Sequence, residues 1–307
     1  MKALVISGGG SKGAFAGGVA EHLIHKQKKR YDLFIGSSTG SLLLPHLALN
    51  NIPKIRQVYT TINEKKVFSR NPFVIRTKNK VTHISINYIN TLIQFLLKRK
   101  TFGESKNLRQ TIARNFSREE FHQLQDADKE IVVSVSNLSR NRVEYKSIKE
   151  YDYQDFLDWI WISCNVVPFM TLKRKNDCDY ADGGLANTVP ISQAIARGAK
   201  EIDAIVLETE DMDYKKLMGS NPFSLMINLY DFMVDQIELH DIREGKLAAK
   251  NNNVKLNLYF TPDKLTENSL IFDKQQMLEW WQQGYEFAEK RSKEQANNKI
   301  FSRWFNI

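Results

Sequence analysis

Residues 1–42 read MKALVISGGGSKGAFAGGVAEHLIHKQKKRYDLFIGSSTGSL, and this stretch decides the fold. Two short apolar runs, Ala3–Ile6 and Leu33–Ile35, each end in a glycine-rich turn that opens a helix-like segment. The first turn is Gly8-Gly9-Gly10-Ser11-Lys12-Gly13 and the second is Gly36-Ser37-Ser38-Thr39-Gly40. Strand, turn and helix in such close succession describe a βαβ unit, with its helix expected from about Ala14 to Lys29. The expected architecture is α/β, with a mostly parallel central sheet flanked by helices in three layers.

Each turn supports more than one chemistry. Gly8-x-Gly10-x-x-Gly13 after a strand matches the dinucleotide fingerprint, which also requires an acid at the end of the second strand. Asp32 precedes that strand and Gly36-Ser37-Ser38 follows it, so the ribose partner is missing. The P-loop alternative fails because Lys12 is followed by Gly13 and not by Ser or Thr. The second turn fits the nucleophile elbow Gly-x-Ser-x-Gly. Small residues at Gly36 and Gly40 let backbones close on the turn, and Ser38 stands at a helix N-terminus whose dipole favours developing negative charge. Pro45 within the following helix predicts one lost backbone bond and a kink.

Taken together, the two turns resemble the patatin-like phospholipases, which place a GGGxxG loop after strand one and a GxSxG serine after strand two. The third element of that resemblance is Asp182-Gly183-Gly184 in YADGGLANTVP, continued by Pro190–Ala194, Arg197–Ala199 and Ile202–Leu207. The resemblance implies a serine lipid acyl hydrolase with a Ser38–Asp182 dyad and no histidine. It implies an oxyanion hole from the backbone of Gly8, Gly9 and Gly10, with Thr39 contributing. Lys12, Gly13, Gly36, Gly40, Gly183 and Gly184 support the loops. It calls for no cofactor and no metal. The expected partner is a phospholipid, lysophospholipid or other acyl-ester lipid met at a transient membrane surface.

Other assignments of the same residues stay open at this point. Asp-Gly is a common turn pair, so Asp182 alone is equally a turn residue. Ser38, Asp182 and His240 follow α/β-hydrolase order, although His240 beside Glu238 and Asp241 reads as a solvated helix face. His22, His25 and His46 fall on helices, and His83 and His122 lack a partner motif. Lys12 is either a loop-orienting group, a phosphate contact or a solvated lysine. Acyl transfer to an acceptor other than water would use the same dyad. A catalytically silent lipid-binding module is the reading from another class.

Length and composition fit one domain of 307 residues with 42% hydrophobic content, its core over about 3–208 and a helical and strand extension over about 221–307. The net charge of +9 is scattered and no nucleic-acid motif accompanies it, so an anionic membrane surface explains it at least as well as nucleic acid does. No window approaches a transmembrane span. The first strand starts at residue 2, which leaves no room for a signal peptide, and Cys164 and Cys178 read as reduced thiols. The expectation is a cytoplasmic protein, with the inner face of a membrane as a place of transient contact.

Ile86, Ile89, Ile93 and Leu97 recur at helical spacing and predict a core-facing helix ending in Lys98-Arg99-Lys100. A lipid-touching lid is the alternative. Helices are expected around Asn107–Asn115, from Glu119 and over Asp155–Ser163, where Trp159 and Trp161 serve packing. Ile131–Val135 predicts a buried parallel strand with Arg142–Tyr145 beside it. Thr171-Leu172 stands where the resemblance expects an aromatic-Pro pair, which affects the local wall of an acyl pocket. Asn221–Lys250 and Lys274–Asn297 predict long helices around a strand at Val254–Phe260. The tail Ile300–Phe305 mixes aromatic and basic residues and fits either docking on the core or anchoring at a membrane interface.

Overall fold

A computed structural model describes residues 1–78, 81–211, 222–266 and 268–304. The strands are β1 (Lys2–Ile6), β2 (Leu33–Gly36), β3 (Phe73–Lys78), β4 (Val81–Ile86), β5 (Glu130–Asn137), β6 (Arg142–Ser147), β7 (Lys173–Lys175), β8 (Cys178–Asp182), β9 (Glu201–Val206) and β10 (Lys255–Phe260). The main sheet runs β10-β9-β1-β2-β5-β8-β7, with β6 on the other edge of β5, while β3 and β4 form a separate hairpin. From β10 to β5 every pair is parallel, which confirms the expected mostly parallel sheet. The expectation for β5 needs one amendment. It pairs parallel to β2 over Glu130–Val133 but antiparallel to β6 and to β8.

Because β6 occupies one edge of β5, β2 and β8 share the other. The two run in opposite directions and meet end to end, with Gly36 opposite Val133 and Asp182 opposite Val135. That arrangement sets the turn after β2 against the end of β8.

Helices cover both faces. They are α1 (Gly13–Glu21), α2 (Thr39–Ala48), α3 (Ile52–Thr60), α4 (Glu64–Val67), α5 (Tyr88–Leu96), α6 (Lys106–Asn115), α7 (Arg118–Asp126), α8 (Tyr153–Ser163), α9 (Ile191–Ala196), α10 (Pro222–Asn251) and α11 (Lys274–Trp304). α1 is shorter than expected, since the chain widens into a π-helical turn over His22–Lys26. Alternate strand residues divide between two cores, as the period-two pleat requires. Leu4, Ile6, Phe34, Ile131 and Val133 pack beneath α1, α2, α8 and α11, whereas Ala3, Val5, Leu33, Ile35 and Val132 pack beneath α9 and α10. Strands buried on both faces explain the uninterrupted apolar runs read from the sequence. Trp159 and Trp161 are buried, as expected of packing residues, and both cysteines are free and buried.

Two expectations fail here. α5 does not turn its apolar face to the core. Tyr88, Ile89, Leu92, Phe95, Leu96 and Leu97 are exposed, while Thr91 and Gln94 are the buried positions. Helical spacing identifies a face without saying which way it points. The solvated face read around His240 holds for His240 itself, which is exposed, and fails for its neighbours Glu238 and Asp241, both buried on α10. The side chains of the tail Ile300–Phe305 lie outside the described residues.

Candidate active site

β2 delivers its last residue, Gly36, into a sharp turn, and Ser38 sits there at φ 49° and ψ −118°. That conformation is costly for a residue with a Cβ and persists only where its surroundings enforce it. The enforcement is visible. The Ser38 N–H donates to Ser163 Oγ at 3.0 Å, and Ser163 lies 2.8 Å from Ser41 Oγ. Ser41 in turn donates to the Gly36 carbonyl at 3.0 Å. Each hydroxyl has one proton, so Ser163 donates to Ser41, and the chain of bonds runs one way from α8 to the end of β2. Cys164 Sγ also donates to the Ser38 carbonyl at 3.1 Å.

Gly40 is where the turn demands a missing side chain. A Cβ there would overlap the backbone carbonyl of Ile6 in β1, which has no freedom to retreat. Gly40→Ala is therefore expected to destabilise the fold by about 1–3 kcal/mol. The check is the denaturant midpoint, and an unchanged midpoint would sink the close-approach argument. Pro45 does not end α2, which continues to Ala48 with Leu49 N–H donating to the Pro45 carbonyl at 3.0 Å.

Asp182 ends β8 and faces this turn. Its Oδ2 accepts the Ser38 hydroxyl at 2.7 Å, and its Oδ1 accepts the Gly184 N–H at 2.7 Å. The backbone is fixed too, since Asp182 N–H donates to Asn165 O at 2.9 Å and Ser136 Oγ donates to Asp182 O at 2.7 Å. Asp182 thus begins the turn Gly183–Leu185 and also accepts the bond from Ser38. Burial pushes its carboxyl up to about 7, and the bonds from Ser38 and Gly184 pull it back only in part.

The glycine loop lies against the elbow. Gly9 and Gly10 adopt φ 156° and 54°, and a side chain at Gly10 would collide with Ser269. The Gly10 carbonyl is held by the Thr39 hydroxyl at 2.8 Å and by the Tyr59 hydroxyl. Among the described residues, the N–H groups of Gly9 and Gly10 donate to no protein acceptor. Thr39 N–H, at the first position of α2, has no preceding helical carbonyl. Gly8 differs, for its N–H donates to Thr188 O at 3.3 Å. Consecutive free N–H groups in such a turn form a concavity suited to an anion.

Lys12 is not a solvated lysine. It is buried and ion-paired with Glu208, beyond β9. Nearby, burial pushes the Glu238 carboxyl up to about 8, against the pull of Lys12. Among the described side chains, no histidine bonds Ser38, whose hydroxyl donates to Asp182. Burial pushes the imidazole of His46 down to about 4, and the ring packs on Phe116 at 6.0 Å. Gly13 and Gly36 lie in the same loops, and Gly183 approaches Ser134 and Ser37 closely.

Two sets of supporting residues escaped the sequence reading. One is the Ser163–Ser41 pair below the elbow. The other is Asp241, whose Oδ2 accepts the N–H groups of Thr188 at 2.6 Å and Val189 at 3.0 Å. Asp241 thereby ties the loop after Asp182 to α10, and through Thr188 to Gly8. Hydroxyls and single acids inside helices carry no spacing signature, so only their neighbours in space reveal them.

Comparison with known proteins is consistent with this geometry. A family model described as patatin-like phospholipase matches residues 4–195. The chain is 23% identical over 239 residues to the uncharacterized protein YjjU of Escherichia coli strain K12, an alignment covering 74% of this chain and 60% of that protein. It also resembles the crystal structure of VipD from Legionella pneumophila, with a TM-score of 0.50 and 14% identity, over 94% of this chain and 66% of that one. At that identity the likeness concerns the fold alone. The chain thus spans about two thirds or less of the length of these relatives. The family match covers more than half of the chain and contains both glycine turns and the Asp182 motif: the chain belongs to the patatin-like phospholipase family.

Proposed function

We propose that this protein is a serine acyl hydrolase acting on lipid esters, with Ser38 as nucleophile and Asp182 as its base. The observation that carries this reading is the 2.7 Å bond from the Ser38 hydroxyl to a buried carboxylate. A serine hydroxyl is a weak nucleophile until a positioned base accepts its proton. Asp182, pushed up to about 7, is a far stronger base than an exposed aspartate and is still ionised above neutrality.

In the proposed reaction Ser38 Oγ attacks the acyl carbonyl carbon while its proton passes to Asp182 Oδ2. The carbonyl oxygen takes up the charge and meets the free N–H groups of Gly9 and Gly10, with Thr39 N–H alongside. The ester C–O bond then breaks, and Asp182 returns its proton to the departing alcohol. Water attacks the acyl-enzyme with Asp182 again as base, and the proton finally restores Ser38. Gly8 contributes the shape of the loop, since its own N–H is already engaged with Thr188. Family membership favours a phospholipid or lysophospholipid as the source of the acyl ester.

The test is covalent labelling by an alkyl fluorophosphonate, followed by intact mass and then by fatty-acid release from phospholipid. One adduct on Ser38 is expected. Its rate should rise with pH and level off above about 7, because the carboxyl pushed up to that value must be ionised to act. No adduct on folded protein would overturn the hydrolase reading and favour a silent lipid-binding module.

A further inference from the structure

α5 is built inside out. Its inward positions are Thr91 and Gln94, and among the described residues neither the Thr91 hydroxyl nor either amide atom of Gln94 has a hydrogen-bond partner. Its outward positions are Tyr88, Ile89, Leu92, Phe95 and Leu96, each more than half exposed, with Leu97 just beyond the helix end. These fall at i, i+1, i+4, i+7 and i+8, which is one continuous apolar stripe. A soluble helix of this composition would ordinarily bury that stripe and leave Gln94 in water.

α10 repeats the pattern near its start, where Leu225, Leu229, Phe232 and Met233 are exposed at i, i+4, i+7 and i+8. A chain of rings joins the two helices. Phe95 packs on Phe102 at 6.2 Å, Phe102 on Phe169 at 6.3 Å, and Phe169 on Tyr230 of α10 at 6.2 Å. Phe169 lies in the segment after α8 whose Asn165 carbonyl accepts the Asp182 N–H at 2.9 Å, so this surface adjoins the candidate site. Cations rim it. Lys98, Arg99 and Lys100 follow α5 and Lys106 begins α6, faced by the acids Glu104 and Asp179 in ion pairs of 2.9–3.6 Å. Their cationic side chains are more than half exposed, so these pairs leave a net positive rim in contact with water.

We propose that the outward faces of α5 and α10 form a docking surface for an anionic bilayer, placing the Ser38–Asp182 site against lipid. An apolar stripe that enters the acyl boundary, flanked by cations at head-group level, is the arrangement an interfacial helix requires. The proposal rests on the acyl-hydrolase reading and names the surface through which that site meets its substrate.

The experiment is co-sedimentation with phosphatidylcholine vesicles, with and without phosphatidylglycerol, comparing wild type with the double variant Leu92→Ser/Phe95→Ser. Circular dichroism and fluorophosphonate labelling report folding, and hydrolysis of the soluble ester p-nitrophenyl butyrate reports the site. Wild type is expected to bind phosphatidylglycerol vesicles more tightly than phosphatidylcholine alone. The variant should bind at least about tenfold more weakly while soluble-ester turnover stays within about twofold. Unchanged vesicle binding by a folded variant would overturn the proposal. So would a wild-type dimer in sedimentation velocity that the same substitutions dissociate, because the surface would then belong to a second copy. Vesicle binding by a wild-type protein that hydrolyses no ester would overturn the acyl-hydrolase reading while supporting the docking surface.

Discussion

Ser38→Ala is expected to reduce acyl-ester hydrolysis by at least about 10⁴-fold, with lipid binding retained. The size of the effect follows from what surrounds the hydroxyl. Ser37 and Ser41 lie within three residues of Ser38, yet of the three only Ser38 donates to Asp182, and Ser41 is occupied with Gly36 and Ser163. No neighbouring hydroxyl can inherit both the base and the position. Initial rates of fatty-acid release provide the measurement. A residual rate above about one hundredth of wild type would place the nucleophile elsewhere. Folding should survive, because the bonds that hold the turn use the backbone of Ser38 and the side chains of Ser163 and Ser41.

Asp182→Asn is expected to lose activity by about 10³–10⁴-fold and, above neutral pH, to melt at a higher temperature than wild type. The activity loss reflects a side chain that cannot accept the Ser38 proton. The stability gain is a matter of linkage. Burial raises the carboxyl of Asp182 from 3.8 to about 7 in the folded protein, so the folded state holds a proton that the unfolded state releases. Its contribution is fully present below about pH 4, declines as pH rises, and is lost above about 7. A shift of that size corresponds to on the order of 4 kcal/mol. Asn carries no charge to bury, and its amide can still accept from Gly184 and donate to Ser38 Oγ. Thermal melts of both proteins should diverge between about pH 4 and 7 and keep a constant gap beyond. Equal Tm values throughout would mean that Asp182 carries no folding penalty.

The parts of the fold legible in the sequence were those with local rules. The glycine turns, the buried parallel strands and the order of the motifs survive translation into structure, because strand alternation and tight turns are set by neighbours in the chain. Asp182 was legible only through its motif, since the five residues of β8 include two aspartates and resemble no ordinary strand. The antiparallel direction of β8 depends on pairing with β5, a relation between distant segments. Asp241 and the Ser163–Ser41 pair were invisible for the same reason. The orientation of α5 was misjudged because amphipathicity is symmetric: the pattern is identical whether the apolar side meets a core or a surrounding phase.

The end-to-end meeting of β2 and β8 along one edge of β5 has a consequence for how the molecule is made. Ser38 and Asp182 touch across 144 positions of chain, and β5 offers half of that edge to a strand synthesised some forty residues later. A nascent chain can therefore pair β1, β2 and β5 while the elbow still has no acid beside it. On the proposed mechanism, reactivity at Ser38 would emerge only when β8 zips onto the vacant half of β5. In this protein the appearance of a labelled serine would act as a clock for the completion of the sheet.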